Sequence, residues 1–301
     1  MPEEQDTAVK VAIAGAGGRL GAALARLYSL HYEVRAFTRP ELDLAAPEQL
    51  RESLGNTAFD VLINCAAQTN VDRCETEQEE AFAINAIAPG VLADSCNARG
   101  ARLIHISTDY VFDGGASQPY TEEDEAKPIS VYGASKLAGE ERVRAAGEQH
   151  VVARVSWVFG PDRPSFLDAI IKRAREEEQV EAIADKISTP TYTVDTADLL
   201  RPFLDSTTPG GVYHLTNEGA CTWQEYGQWG LDCCRREGIP LRAEVVGPLA
   251  LADMKNFIAR RPVYTALSIA KYQQVTGRRP RSWRAAVAAY VRDHLAPRAE
   301  V

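Results

Sequence analysis

The chain has 301 residues, 45% of them hydrophobic and 25% charged, with 33 Lys and Arg against 42 Asp and Glu for a formal net charge of -9. That length fills one or two packed domains, and the acidity argues against a reader of nucleic-acid backbones. No apolar run approaches the length that crosses a bilayer, and the opening MPEEQDTAVK lacks a basic start followed by an apolar stretch, so a soluble, cytoplasmic protein acting on something small is expected.

In chain order, the segments 9–14, 33–37, 61–64, 103–107 and 151–155 are apolar almost continuously, the pattern of strands in a parallel sheet covered on both faces. Between them, 18–30, 79–99 and 132–146 carry helical patterns, the second long and amphipathic. Strands alternating with helices predict an α/β, doubly wound parallel sheet of the Rossmann type. At Gly160-Pro161-Asp162-Arg163-Pro164 the rhythm breaks, a charged helix follows over 166–178, and shorter strands, aromatics and turns come after it. This places a dinucleotide-binding domain at 1–160. A smaller C-terminal α/β domain, mainly substrate-binding, spans 161–301, with some segments returning to the first and the ligand cleft between the two. The Arg278-Arg279-Pro280-Arg281 cluster reads as solvated surface. Six cysteines stand without Cys-x-x-Cys or His spacing, so neither a metal site nor a disulfide framework is expected.

After the first strand comes Gly15-Ala16-Gly17-Gly18-Arg19-Leu20-Gly21. A strand must turn sharply into a helix while its backbone approaches a diphosphate, and glycine alone allows both. Such turns also join strands to helices in proteins that bind nothing, but this one opens the first βα unit, where a dinucleotide site requires it. At the end of the second strand, where a carboxylate would select NAD, the residues are Phe37-Thr38-Arg39. An arginine there suits the 2′-phosphate of NADPH, although Glu41 and Asp43 lie close enough to leave NADH open. Tyr132 and Lys136 stand four apart on one helix face, so that an ammonium could lower the pKa of a phenol that donates a proton to a reduced carbonyl. Thr108, following the strand at 103–107, could hydrogen-bond the same carbonyl oxygen; its alternative role is to cap a local turn together with Asp109.

These residues together resemble the extended short-chain dehydrogenase/reductase superfamily, and within it the dTDP-4-dehydrorhamnose reductase family. The resemblance runs nearly the whole chain: the glycine loop, Asp43-Leu44, Asn64 to Asp72, Asn85, Ser107-Thr108-Asp109-Tyr110-Val111-Phe112, Val131 to Glu140, Arg154 to Gly160, Gly211 to Leu215, Thr222-Trp223 and Arg261-Pro262. It implies Tyr132 as proton donor, Lys136 as its electrostatic partner and a ribose ligand, and Thr108 as the hydroxyl on the reacting oxygen. Gly17, Gly18, Arg19 and Leu20 would hold the cofactor diphosphate, Asp43 and Leu44 the adenine, and Ala66, Ala67 and Gln68 the nicotinamide side; Gly15 of the turn, and Thr38 and Arg39 at the end of the second strand, join the cofactor-binding set from the reading of the residues themselves. Asp109 and Trp157 would touch the sugar of a nucleotide-sugar substrate, and Arg261, with Arg260 less directly, its diphosphate. For Trp157 the alternative is a core tryptophan, and for Arg261 a rim arginine.

Departures from the family pattern are Thr38 where an acidic residue is frequent, Gln68 and Ile106 in place of aromatic or imidazole side chains, and 186–191, which keeps only the Pro-Thr of the usual loop. The implied reaction is reduction of the C4 carbonyl of dTDP-4-dehydro-L-rhamnose to dTDP-L-rhamnose. Related 4,6-dehydratases carry a second acid where Tyr110 stands. Open alternatives are a 4-epimerase, a reductase giving a 6-deoxytalose, and a non-catalytic NADP-binding subunit like the regulatory subunit of methionine adenosyltransferase. No nucleic-acid or membrane partner is expected, and a homodimer is left open.

Overall fold

The computed structural model describes residues 9–297. Its first half runs β1 (Lys10–Ala14), α1 (Arg19–Tyr28), β2 (Glu33–Phe37), α2 (Pro47–Gly55), β3 (Val61–Asn64), α3 (Val71–Thr76), α4 (Gln78–Phe82), α5 (Ala88–Asn97), β4 (Arg102–Thr108), α6 (Val131–Ala146) and β5 (Val151–Val155). The second half continues β6 (Val158–Phe159), α7 (Phe166–Glu176), β7 (Val180–Ile183), β8 (Ile187–Ser188), β9 (Thr191–Tyr192), α8 (Thr193–Leu200), β10 (Gly211–His214), β11 (Cys221–Thr222), α9 (Trp223–Arg236), β12 (Val246–Leu249), α10 (Ala270–Thr276) and α11 (Trp283–His294). Among the described residues no helix is long and apolar enough to cross a membrane.

Six parallel strands form the main sheet in the order β10-β5-β4-β3-β1-β2. The chain leaves β1 toward one edge and returns to its other side as β3, which opens a crevice at the carboxyl ends of these two strands. Central strands are buried end to end, as their continuous apolar runs require: every residue of Val61–Asn64 and Val151–Val155 is buried. Each fully buried Val, Leu or Ile there contributes about 1.5–3 kcal/mol. Glu33–Phe37 differs from the buried strand expected of it. It is the sheet edge, and Glu33 and Arg35 face water while only Phe37 is fully buried.

The single long helix expected over 79–99 is instead α4 and α5 joined by one π-helical turn, Ala83–Ile87. The wider turn admits Asn85, fully buried, whose amide binds the Gln68 backbone at both ends: it accepts from the Gln68 N–H at 2.9 Å and donates to the Gln68 carbonyl at 3.0 Å. Against it lies α6, capped by Ser130, whose hydroxyl accepts from the Gly133 N–H. Two glycines set how closely α6 docks. A β-carbon at Gly133 would overlap the Tyr110 carbonyl oxygen, and one at Gly139 the Asn85 carbonyl oxygen.

A second core forms where α7, β7, α9, β12 and α11 pack around Leu167, Ile170, Val180, Leu231, Val246 and Val287. Other late segments belong to the main sheet. β10 extends it, and Ala197, Leu200, Phe203, Tyr213 and Tyr272 share the core that covers β1, β3 and β5. The hydroxyl of Tyr28 on α1 donates to the Ala197 carbonyl at 2.8 Å, fastening α8 to α1.

Candidate active site

A cleft of about 710 Å³ opens at the carboxyl ends of β1, β3, β4 and β5. At one end, Gly15 adopts φ +81°, and a β-carbon on it would stand 2.7 Å from the Ala66 nitrogen, so only glycine closes this turn. Gly17, by contrast, has nothing within 4 Å of its missing β-carbon and faces open space, and Gly18 begins α1 with free N–H groups ahead of it. Bare backbone, open space and a helix N-terminus together fit a dinucleotide diphosphate. Arg19 lines the cleft, but its guanidinium donates to the carbonyls of Val158 at 3.0 Å, of Arg163 at 3.1 Å, and of Pro164. Arg163 in turn donates to the Gly17 carbonyl at 3.0 Å, so these two arginines strap the segment after β6 against the glycine loop.

Leu20, Arg39, Asp43, Leu44, Ala66, Ala67 and Gln68 also line the cleft. Thr38 does not: its amide and hydroxyl donate to Glu41 at 2.9 and 2.8 Å, holding that carboxylate below its usual pKa. Arg39 stays exposed at the cleft edge, with only long contacts of 3.8 Å to Asp43 and 3.9 Å to Glu80.

At the other end, Thr108, Asp109, Tyr132, Lys136 and Trp157 share one wall with Tyr110 and Ser156. Tyr132 meets Tyr110 edge to face, 5.6 Å between ring centres. Burial raises the Tyr132 pKa above the usual phenol value, and the Thr108 hydroxyl works against this by favouring the phenolate. The ammonium effect expected of Lys136 is not what governs the phenol here, because that side chain turns to β4. Its Nζ donates to the Ile106 carbonyl at 2.7 Å and lies 3.2 Å from His105 Nε2. Burial brings Lys136 down to about 8, opposed by the carboxylate of Glu140.

Asp109 is 2% exposed, and its carboxylate is occupied. Oδ2 accepts from Ser188 at 2.9 Å and Thr265 at 2.5 Å, and Oδ1 accepts from Thr108 at 3.2 Å. Trp157 both packs and lines the cleft: it stacks on Tyr226 and leans on Trp223, while its backbone takes φ +39°, a strained value for a tryptophan. Arg261 lies outside the cleft wall. Its guanidinium donates to Asp72 at 2.8 Å, covers the Phe257 ring, and is 8% exposed. Asp72 also accepts from the amides of Ile258 and Ala259, both at 2.9 Å, so this bridge pins the segment before Pro262 to the start of α3. Arg260 is exposed. Of the arginine cluster, Arg279 pairs with Glu218 and Arg281 with Asp195 on the surface.

Sequence reasoning assigned no role to several buried residues behind this wall. Glu140 and Arg154 form a buried pair at 2.6 Å, with the Ser107 hydroxyl donating to the same carboxylate at 2.5 Å. Lys186, fully buried, donates to the Pro262 carbonyl at 2.6 Å and faces the rings of Tyr110 and Trp157. A lysine at the start of a loop reads as surface, and its only signal is that it falls in the family's loop pattern as a departure.

Comparisons with known proteins agree with this architecture. The family profile described as RmlD substrate binding domain matches residues 9–296. The dTDP-4-dehydrorhamnose reductase of Mycolicibacterium smegmatis is 36% identical over 283 residues, 93% of this chain and 84% of that protein. The spore coat polysaccharide biosynthesis protein SpsK of Bacillus subtilis is 35% identical over 285 residues, covering 94% of this chain and 97% of that protein. Among solved structures, the dTDP-4-dehydrorhamnose reductase of Bacillus anthracis in complex with NADP superposes with a TM-score of 0.88 at 30% identity, covering 95% of this chain and 99% of that one. With a match spanning nearly every described residue, this chain belongs to the RmlD substrate binding domain family.

Proposed function

We propose that this chain reduces the C4 carbonyl of dTDP-4-dehydro-L-rhamnose, giving dTDP-L-rhamnose, with NADPH as the preferred reductant. The observation that carries the reading is that Thr108, Tyr132 and Lys136 share one wall of a cleft whose other end is the glycine loop. The names of the relatives supply the sugar. Gly15, Gly17, Gly18, Leu20, Asp43 and Leu44 would hold the dinucleotide, with Ala66, Ala67 and Gln68 toward its reactive end. When bound there, a reduced nicotinamide supplies hydride.

The chain's own residues handle the proton. Because burial keeps Tyr132 protonated through the neutral range, its phenol is loaded with the proton that reduction consumes. Thr108 lowers the energy of the tyrosinate left behind, and Lys136, one helical turn on in the same cleft lining, would add a positive charge once the tyrosinate forms. Before proton transfer the Thr108 hydroxyl donates to Asp109; once the tyrosinate forms, that single proton turns to it instead. Tyr110 and Trp157 wall the substrate end with apolar rings that exclude water. Arg39 at the adenosine end, with Glu41 turned away to Thr38, favours a 2′-phosphate.

The test is to mix purified protein with dTDP-4-dehydro-L-rhamnose and follow NADPH and NADH absorbance separately, identifying the sugar by NMR. A rhamnose product supports the reading, and a talose product changes its stereochemistry. Cofactor binding without consumption would overturn it in favour of a binding subunit.

A further inference from the structure

Beneath Tyr132 lies a buried chain of three polar side chains that the reduction as described does not use. Asn64, at the end of β3, accepts from the Ala66 N–H at 3.1 Å through Oδ1, which fixes its amide orientation. Its Nδ2 therefore points at His105 Nδ1, 3.1 Å away, and can only donate. With Nδ1 accepting, a neutral imidazole must carry its proton on Nε2, and Nε2 faces Lys136 Nζ at 3.2 Å. An ammonium has no lone pair to receive that proton, whereas an amine does. His105 and Asn64 are wholly inaccessible, and Lys136 is 2% exposed, so no solvent relieves a donor facing a donor.

We propose that His105, oriented by Asn64, donates its Nε2 proton to Lys136 and so disfavours the ammonium, making His105 a positioning residue that sets when the charge beneath Tyr132 is present. The other ionisable groups facing the pair are Glu140 from α6 and Cys65 beyond β3. Glu140 acts in the opposite sense, favouring the charged lysine, and is itself committed to Arg154 from β5. Burial and the neighbouring lysine together hold the imidazole well below its ordinary pKa, consistent with a neutral ring. The catalytic consequence rests on the reductase reading; the proton arrangement does not.

The experiment uses the full chain, free of cofactor. Long-range proton–nitrogen spectra of its five histidines should show one ring with a protonated Nε2 and an accepting Nδ1, unchanged between about pH 6 and 9 and missing in His105→Gln. A protonated Nδ1, or a doubly protonated ring, overturns the proposal. The Lys136 methylene carbon beside Nζ, assigned as the resonance lost in Lys136→Met, should titrate with a midpoint near 8. In His105→Leu that midpoint should rise by about one pH unit, a tenfold change in proton affinity, and by less in His105→Gln, whose amide can still donate. A midpoint that stays in place in both variants overturns the proposal, whatever carbonyl compound the protein reduces. With an active substrate in hand, the alkaline limb of kcat/KM should move with the NMR midpoint.

Discussion

Gly133→Ala perturbs the candidate site through one methyl group on the hidden side of α6. The new β-carbon would overlap the Tyr110 carbonyl oxygen, and it would stand 2.9 Å from Pro128 Cβ and 3.1 Å from the Tyr110 carbonyl carbon. Carbon atoms settle at about 3.5–4.0 Å, so the helix must back away by about 1 Å. Tyr132 is the neighbouring residue and Lys136 lies one turn on, so both move relative to Thr108 on β4. A misplacement of about 1 Å costs on the order of 100-fold in rate when reacting groups must be aligned. Overpacking costs about 1–3 kcal/mol, partly offset by the roughly 1 kcal/mol gained when alanine replaces glycine in a helix, so the variant should fold. Steady-state kcat/KM with the 4-dehydro sugar and cofactor affinity by fluorescence titration separate the two ends of the cleft. The rate should fall while cofactor affinity changes little. Gly90→Ala is the control, since its β-carbon meets Arg142 Cβ at an ordinary 3.4 Å. A Gly133→Ala enzyme within about threefold of normal kcat/KM would refute the claim that this glycine sets the catalytic geometry.

Tyr132→Phe removes the proton donor and should lower kcat by about two to four orders of magnitude with cofactor affinity retained; near-normal turnover would remove the role. Arg39→Ala should raise the KM for NADPH about tenfold and leave that for NADH nearly unchanged, since it loses a partner for the 2′-phosphate alone. With Lys136 brought down to about 8 by burial, kcat/KM should be level below that pH and fall as pH rises through it, when the ammonium that offsets the tyrosinate is lost. A profile flat to pH 10 would contradict this assignment, because the ordinary lysine value is 10.5. Glu140→Ala leaves Arg154, 4% exposed, without its carboxylate. A loss of about 3–5 kcal/mol follows, read as a drop in Tm of roughly 10 °C.

The central strands were legible because a parallel sheet buries both faces, and burial writes itself as a continuous apolar run in Val61–Asn64 and Val151–Val155. Glu33–Phe37 misled for the complementary reason: at an edge, Glu33 and Arg35 can face water without disturbing the pairing to β1. Periodicity cannot register a π turn, since one extra residue is absorbed within a single turn. Asn85, a polar residue amid an apolar stretch, and Pro89-Gly90 just after it were the signs that 79–99 is not one regular helix. The glycine loop and the Tyr132–Lys136 spacing are local geometry, so sequence carried them. Arg261 and Lys186 were hidden because burial is decided elsewhere: the partner of Arg261 is 189 residues upstream at Asp72, and Lys186 is enclosed by Tyr110, Trp157 and Pro262.

The run Ser107-Thr108-Asp109 shows why a short motif can be so specific. The Ser107 hydroxyl donates to Glu140, which joins the end of β4 to α6 and, through Arg154, to β5. The Asp109 carboxylate accepts from Ser188 and Thr265, which joins the same strand end to β8 and to the segment beyond Pro262. Thr108, between them, lines the cleft, accepts from the Tyr110 N–H at 3.2 Å, and turns its hydroxyl toward Asp109. The inward and outward alternation of a strand gives the first and third residues the same side and the second the other, yet here the chain leaves the strand at Thr108, which frees Asp109 to face a third direction. Three adjacent residues thus satisfy three different neighbours, one of them the cleft. A substitution at either flank therefore disturbs Thr108 without touching it: losing the Ser107 hydroxyl loosens α6, and losing the Asp109 carboxylate leaves the buried Thr265 hydroxyl unpaired and the Thr108 hydroxyl free to turn, while Ser188 keeps Ser156 and the Thr265 carbonyl.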